Sequence, residues 1–222
     1  MNMNLKNLIP VAIALVIFGC GSTKPTESTA FKTFCEDKKI EYPKLVKTDR
    51  KFTREDHQRD YDNRQQWLAK PTSELFSLLD TNKSLAKNGD TLYLIGLSYT
   101  KYYEDDQILK YYECSAEKYF DTKSMLKLAK LKLTTPLAAD YNKAYFWILN
   151  AIYIDIYQGG KNNIIANGLG LMDELQNVDD YNEKGLDKTK VEKESSEFIE
   201  KLYPEEKNLE EGIRSHYQFL LN

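Results

Sequence analysis

The chain has 222 residues, with 31 Lys plus Arg against 34 Asp plus Glu, two His, and a formal net charge of −3. This balance excludes attachment to nucleic acid or anionic lipid by bulk charge, because both require a basic surface.

Asn2, Asn4 and Lys6 precede an apolar run from Leu8 to Phe18. The run is well short of the roughly 20 residues that a bilayer-spanning helix requires, and it reads as a signal peptide. It closes in VIFGC, where Ile17, Phe18, Gly19 and Cys20 resemble the lipobox of bacterial lipoproteins, with Phe18 a bulky occupant of the middle position. The resemblance implies that residues 1–19 are removed, that Cys20 is acylated, and that the chain sits on the periplasmic face of the outer membrane. Gly21 stands where Asp would favour retention in the inner membrane. Each buried acyl methylene contributes about 0.8 kcal/mol, so several chains hold the protein stably. Residues 20–33 follow as a polar, Pro- and Ser-containing tether with little apolar surface to bury. With Cys20 lipidated, Cys35 and Cys114 remain: an oxidising periplasm permits a disulfide between them, and two separate buried thiols fit the sequence as well.

From Thr53 onward apolar residues recur at helical spacing, and no segment sustains the two-residue alternation of a half-buried strand. The expected fold is all-α. Helices are predicted over 53–69, 72–87, 90–103, 106–119, 122–134, 140–158, 162–177, 189–202 and 204–221. Pro71, Gly89, Pro136, the pair Gly159 and Gly160, and Pro204 punctuate them, and Thr53, Asp90 and Asp140 are the expected N-caps. The charged stretch 178–188 is expected to be an exposed loop.

Two of these helices echo one another. DDQILKYYECSA at 105–116 and DYNKAYFWILNA at 140–151 align at an offset of thirty-five, pairing Asp105 with Asp140, Leu109 with Ala144, Tyr112 with Trp147 and Ala116 with Ala151. A period of that length marks stacked helix pairs. Upstream of each echo lies another helix, TLYLIGLSY and MLKLAKLKL. Small residues at Gly96, Ala129, Ala144 and Gly170 are expected to admit a neighbouring helix, and Tyr112 and Trp147 to fill the wider gaps one turn on. The aromatic stripes are therefore read as packing rather than as a stacking surface for a ligand.

Ile95, Gly96 and Tyr99 on a first helix, with Lys143, Ala144, Trp147 and Ala151 on a second, resemble the Sel1-like repeat, a tetratricopeptide-type unit. The likeness is good from Asp90 to Leu175; Leu128 with Ala129 and Leu169 with Gly170 take the Leu-Gly positions in the weaker units. It implies a helix-pair solenoid over 34–222 whose first helices line a concave face for a protein partner. Counting from Ile95 and Gly96 puts Asp90, Tyr93, Leu97 and Lys101 on that face. Counting from Leu128 and Leu169 adds Lys123, Lys130, Asn167 and Glu174.

Catalytic arrangements fail at named positions. GLSYT lacks the second Gly of a nucleophile elbow at Thr100, and Asp173 replaces the third Gly of a dinucleotide loop. Asp155 replaces the first Gly of a phosphate loop, Lys184 and Val191 break a calcium loop, and His57 and His216 lack zinc spacing. No catalysis, cofactor or metal is expected. The acidic cluster 104–106 reads as helix-start charge facing the dipole.

The entry region FKTFCEDKKIEYPKL and the helix EDHQRDYDNRQQWLAK, with Phe34, Cys35, Pro43, Trp67 and Leu68, are similar to Sel1-type lipoproteins that accompany type VI secretion effectors. That similarity implies an immunity protein which captures a secreted phospholipase toxin. Rival expectations are an envelope scaffold, a hydrolase with a scattered site, and a purely structural envelope protein. Replacing Cys20 by Ser is expected to shift the protein from the detergent-extracted membrane fraction to the soluble periplasm. Retention in the membrane would contradict lipidation.

Overall fold

The structure, a computed structural model, describes residues 31–48, 51–81, 84–99, 105–134, 140–160, 164–177 and 185–205. Among these the chain is all-helical and contains no strand. A π-helical turn, Lys32–Glu36, precedes α1 (Arg54–Leu68), α2 (Thr72–Thr81), α3 (Leu85–Tyr99), α4 (Asp105–Tyr119), α5 (Thr122–Thr134), α6 (Tyr141–Tyr157), α7 (Ile164–Gln176) and α8 (Lys188–Leu202). The expected signal peptide at 1–19, Cys20, Lys101, His216, residues 178–184 and most of the predicted 204–221 helix lie outside the described residues.

Side-chain oxygens set several helix starts by accepting amide hydrogens that have no partner within the helix. Thr53 and Asp56 form a reciprocal capping box on α1, with the Asp56 amide donating to Thr53 Oγ1 (3.2 Å) and the Thr53 amide to Asp56 Oδ2 (3.1 Å). Asp140 accepts from the Lys143 amide (2.9 Å) and Asp187 from the Lys190 amide (3.0 Å). Beyond α6 the backbone turns through Gly159 and Gly160, both at positive φ, which L side chains rarely adopt.

One predicted boundary is wrong. The break expected at Gly89, with Asp90 as N-cap, does not occur: α3 starts at Leu85 and runs through both residues. Ser84 is the cap, its Oγ accepting from the Lys87 amide at 3.3 Å. Gly89 serves close approach instead, since a Cβ there would stand 2.9 Å from Tyr119 Cβ. The same holds at Gly96, where a Cβ would meet the Tyr112 ring at 2.6 Å.

A second correction concerns α7. A Cβ on Gly170 would meet nothing within 4 Å, whereas one on Gly168 would lie 2.7 Å from Ile152. The buried stripe of α7 is Ile164, Gly168, Leu171, Met172 and Leu175, a helical repeat that puts the contact glycine two residues before the expected one.

The helices pack as α2 on α3, α3 on α4, α4 on α5, α5 on α6, and α6 on both α7 and α8, while α7 also reaches α5. Tyr112 and Trp147 are buried at 1% and 2% exposure, and Ala116, Ala144 and Ala151 are fully buried. The echoed stripes are core.

The chain before α1 wraps this core. Cys35 and Cys114 form a disulfide, Cα atoms 5.5 Å apart and 79 residues apart in sequence. In the chain-entropy model, closing such a loop removes about 4.5 kcal/mol of unfolded-state freedom. Phe31, assigned by sequence to the tether, is buried with its ring 4.7 Å from that of Tyr111. The amides of Leu45, Thr48 and Phe52 donate to the carbonyls of Leu202 (2.7 Å), Tyr157 (2.9 Å) and Gly159 (3.2 Å), satisfying groups at the ends of α8 and α6.

The two glycines of α7 separate by mutation. Gly168→Ala is expected to cost about 1–3 kcal/mol by overpacking Ile152, and Gly170→Ala to stabilise by roughly 0.5–1 kcal/mol through helix propensity. Thermal melting of both variants checks this, and the opposite order would return the contact to Gly170.

Candidate interaction cleft

Helices α3, α5 and α7 present one face to a cleft of about 600 Å³, and α1 forms its remaining wall. Tyr93 and Leu97 come from α3, Lys123, Leu126, Lys127 and Lys130 from α5, and Asn167, Gly170, Leu171 and Glu174 from α7. Tyr61, Arg64, Gln65 and Leu68 of α1 complete the lining.

Six of the residues assigned by sequence to a concave face therefore share this cleft: Tyr93, Leu97, Lys123, Lys130, Asn167 and Glu174. Asp90 does not. It lines a second cleft of about 540 Å³, between α1, the start of α3, the α4–α5 turn and the arm at Pro43 and Leu45. Arg64 and Lys123 border both clefts, so α1 and the first turn of α5 form the ridge between them.

Lys123 is anchored on the Asp90 side. Its Nζ donates to Asp90 and lies 3.6 Å from Asp121 Oδ1. Burial works against its charge, but Asp121 and Asp90 outweigh that cost and its pKa is raised. Its ammonium also sits 5.5 Å from the centre of the Tyr93 ring. Burial raises the Tyr93 hydroxyl pKa as well, with the Asp121 charge adding to it. Lys127 and Lys130 are exposed, Arg64 is half-buried, and none of the three has an ion-pair partner among the described residues.

No protein-family model, curated protein or solved structure matches the chain.

Among the described residues no three His, Cys, Asp or Glu side chains gather so as to hold a metal ion. Glu113, whose carboxyl is pushed up by burial and by Glu117, lies outside both linings. The cleft offers apolar side chains, amide and phenol groups and cations, a lining suited to holding a polypeptide segment.

Sequence reasoning missed α1 as a wall. Its polar sequence announces a helix, but it buries only Asp56 and so carries no apolar stripe that would locate it. Leu126 and Leu171 were not assigned to the concave face; each is 8% exposed and lines the cleft.

Because α1 is so little buried, its order depends heavily on its cap. Asp56 is held down to about 2, first by its hydrogen bond to the Thr53 backbone and then by Arg59. A carboxyl with a depressed folded pKa contributes stability above its ordinary value of 3.8, and the contribution is lost as pH falls through about 2. Thr53→Ala is expected to speed amide exchange across α1 by roughly fivefold, leaving α3 and α5 unchanged. Acidification through the same window is expected to loosen α1 in the wild type. Equal exchange in α1 of the two proteins would show that other contacts hold this wall.

Proposed function

We propose that the chain is a protein-capture module of the cell envelope, anchored by acyl chains on Cys20 at the periplasmic face of the outer membrane. In its sharpest form it is an immunity protein that neutralises a phospholipase toxin of a type VI secretion system by occluding the toxin's active-site entrance. The packing of α3 with α4 and of α5 with α6 supports a reading of these pairs as Sel1-like units in a short solenoid, with α7 opening a third. The observation that carries the proposal is the cleft lined by α3, α5 and α7 with α1, which gathers six of the eight expected face residues from three separate helices. Capture needs no catalytic group, and a cleft with cations above an apolar floor supplies both specificity and buried area.

A steric test is available at Gly170, which is exposed, lines the cleft and has open space where a side chain would begin. Gly170→Trp is expected to leave the melting temperature unchanged or slightly raised while abolishing protection against a secreted phospholipase, if the neighbouring gene encodes one. Gly170→Ala is expected to protect fully. Full protection by a stable Gly170→Trp protein would remove the cleft from the binding mechanism. Co-purification of envelope enzymes in place of a toxin, lost in the same variant, would decide for the scaffold.

A further inference from the structure

The two clefts beside α1 differ in charge. In the smaller one Asp60, Asp90 and Asp121 face Arg64, Lys87 and Lys123, and the signs balance. In the larger one Arg64, Lys123, Lys127 and Lys130 face one carboxylate among the described residues, Glu174. Lys123 is already answered by Asp90 and Asp121 from the other side of the ridge. Three cations, Arg64, Lys127 and Lys130, are left without an ion-pair partner among the described residues, in a chain whose formal net charge is −3.

We infer that the larger cleft binds an acidic segment of a partner protein, its carboxylates meeting Arg64, Lys127 and Lys130 and an apolar side chain resting on Leu126 and Leu171. This deepens the capture reading above and rests on it. Two further observations favour it. The floor leucines are nearly buried, at 8% exposure, while Tyr61 stands 52% exposed at the rim, so the site offers an apolar seat beneath a polar edge. The cleft volume, about 600 Å³, is that of a small-ligand pocket, too small for a domain face and suited to a projecting loop or terminus. Arg64, on a helix held by few contacts, can adjust its guanidinium to a carboxylate in bidentate fashion.

The probe is a fluorescent peptide alternating Glu and Phe, titrated into the oxidised full-length chain beside Gln/Phe and Lys/Phe versions and phosphatidylglycerol vesicles. The Glu/Phe peptide is expected to bind at least about tenfold more tightly than either other peptide, and less tightly as salt rises from about 0.15 to 0.5 M. Lys127→Glu with Lys130→Glu is expected to weaken it by about tenfold or more. Lys190→Glu with Lys193→Glu, the same charge change on α8, is expected to alter it by less than about twofold. Absence of Glu/Phe binding, equal binding of the Gln/Phe peptide, or indifference to the α5 reversal would overturn the inference. So would vesicle binding of equal strength with the same sensitivity to that reversal. If Gly170→Trp abolishes capture of the natural partner and the α5 reversal does not, the acidic-segment inference fails and the capture reading stands. If neither variant affects capture, the partner binds elsewhere, and both the acidic-segment inference and the assignment of capture to this cleft fail.

Discussion

The seam between α3 and α4 is possible only because two α3 residues lack a Cβ. At Gly96 a Cβ would sit 2.6 Å from the Tyr112 ring, and at Gly89 it would sit 2.9 Å from Tyr119 Cβ. Interiors are packed too densely to absorb such overlaps, so these glycines set how closely the helices lie. Closeness then permits a polar tie: Ser115 Oγ donates to the Gly89 carbonyl at 2.8 Å and accepts from Ser124 Oγ at 2.9 Å, joining α3, α4 and the start of α5. Much of the remaining structure hangs from this seam. Beside the glycines on α3, Tyr93, its ring 6.0 Å from that of Tyr112, and Leu97 reach the cleft, and α4 carries Cys114, which fixes the chain's entry.

The arm between the disulfide and α1 solves a different problem. Helix ends leave carbonyls without internal partners, and those of α6 and α8 finish close to one another. Backbone amides of the arm meet them at Leu202, Tyr157 and Gly159, so the arm serves as a shared C-terminal cap. Its path also covers Phe120, a non-glycine residue at φ 58 in the turn between α4 and α5. That conformation costs about 1–2 kcal/mol. The cost is offset by burying the ring at centroid distances of 5.5 Å from Tyr42 and 5.8 Å from Phe198. The arm thereby delivers α1 to the open face of α3, where two clefts form on either side of a helix that buries almost nothing.

Charge is distributed with the same economy. Lys123 could have neutralised Glu174 across the larger cleft, but Asp90 and Asp121 hold it from behind, and its raised pKa reflects that hold. Local excess of positive charge therefore coexists with overall negative charge. Bulk charge describes long-range behaviour, while the cleft's lining governs what meets it at contact.

What the sequence determined by itself is the helical content, most boundaries and the face that α3 and α5 present. Periodicity shows which residues are buried, and capping residues such as Thr53 and Asp140 show where helices begin. The alignment of Tyr112 with Trp147 read correctly as packing because large aromatic side chains recur one turn from small residues. Boundaries failed where a glycine had two physical meanings. Gly89 reads as a breaker in one dimension and acts as a contact in three, and Gly168 and Gly170 differ only in which side of α7 meets Ile152. Only the tertiary structure decided the pairing of Cys35 with Cys114, because distance between residues 79 apart is not written in local pattern. It likewise decided that a polar helix walls the cleft and that Asp90 turns away from it. Those outcomes depend on where the arm meets helix ends that are far from it in sequence.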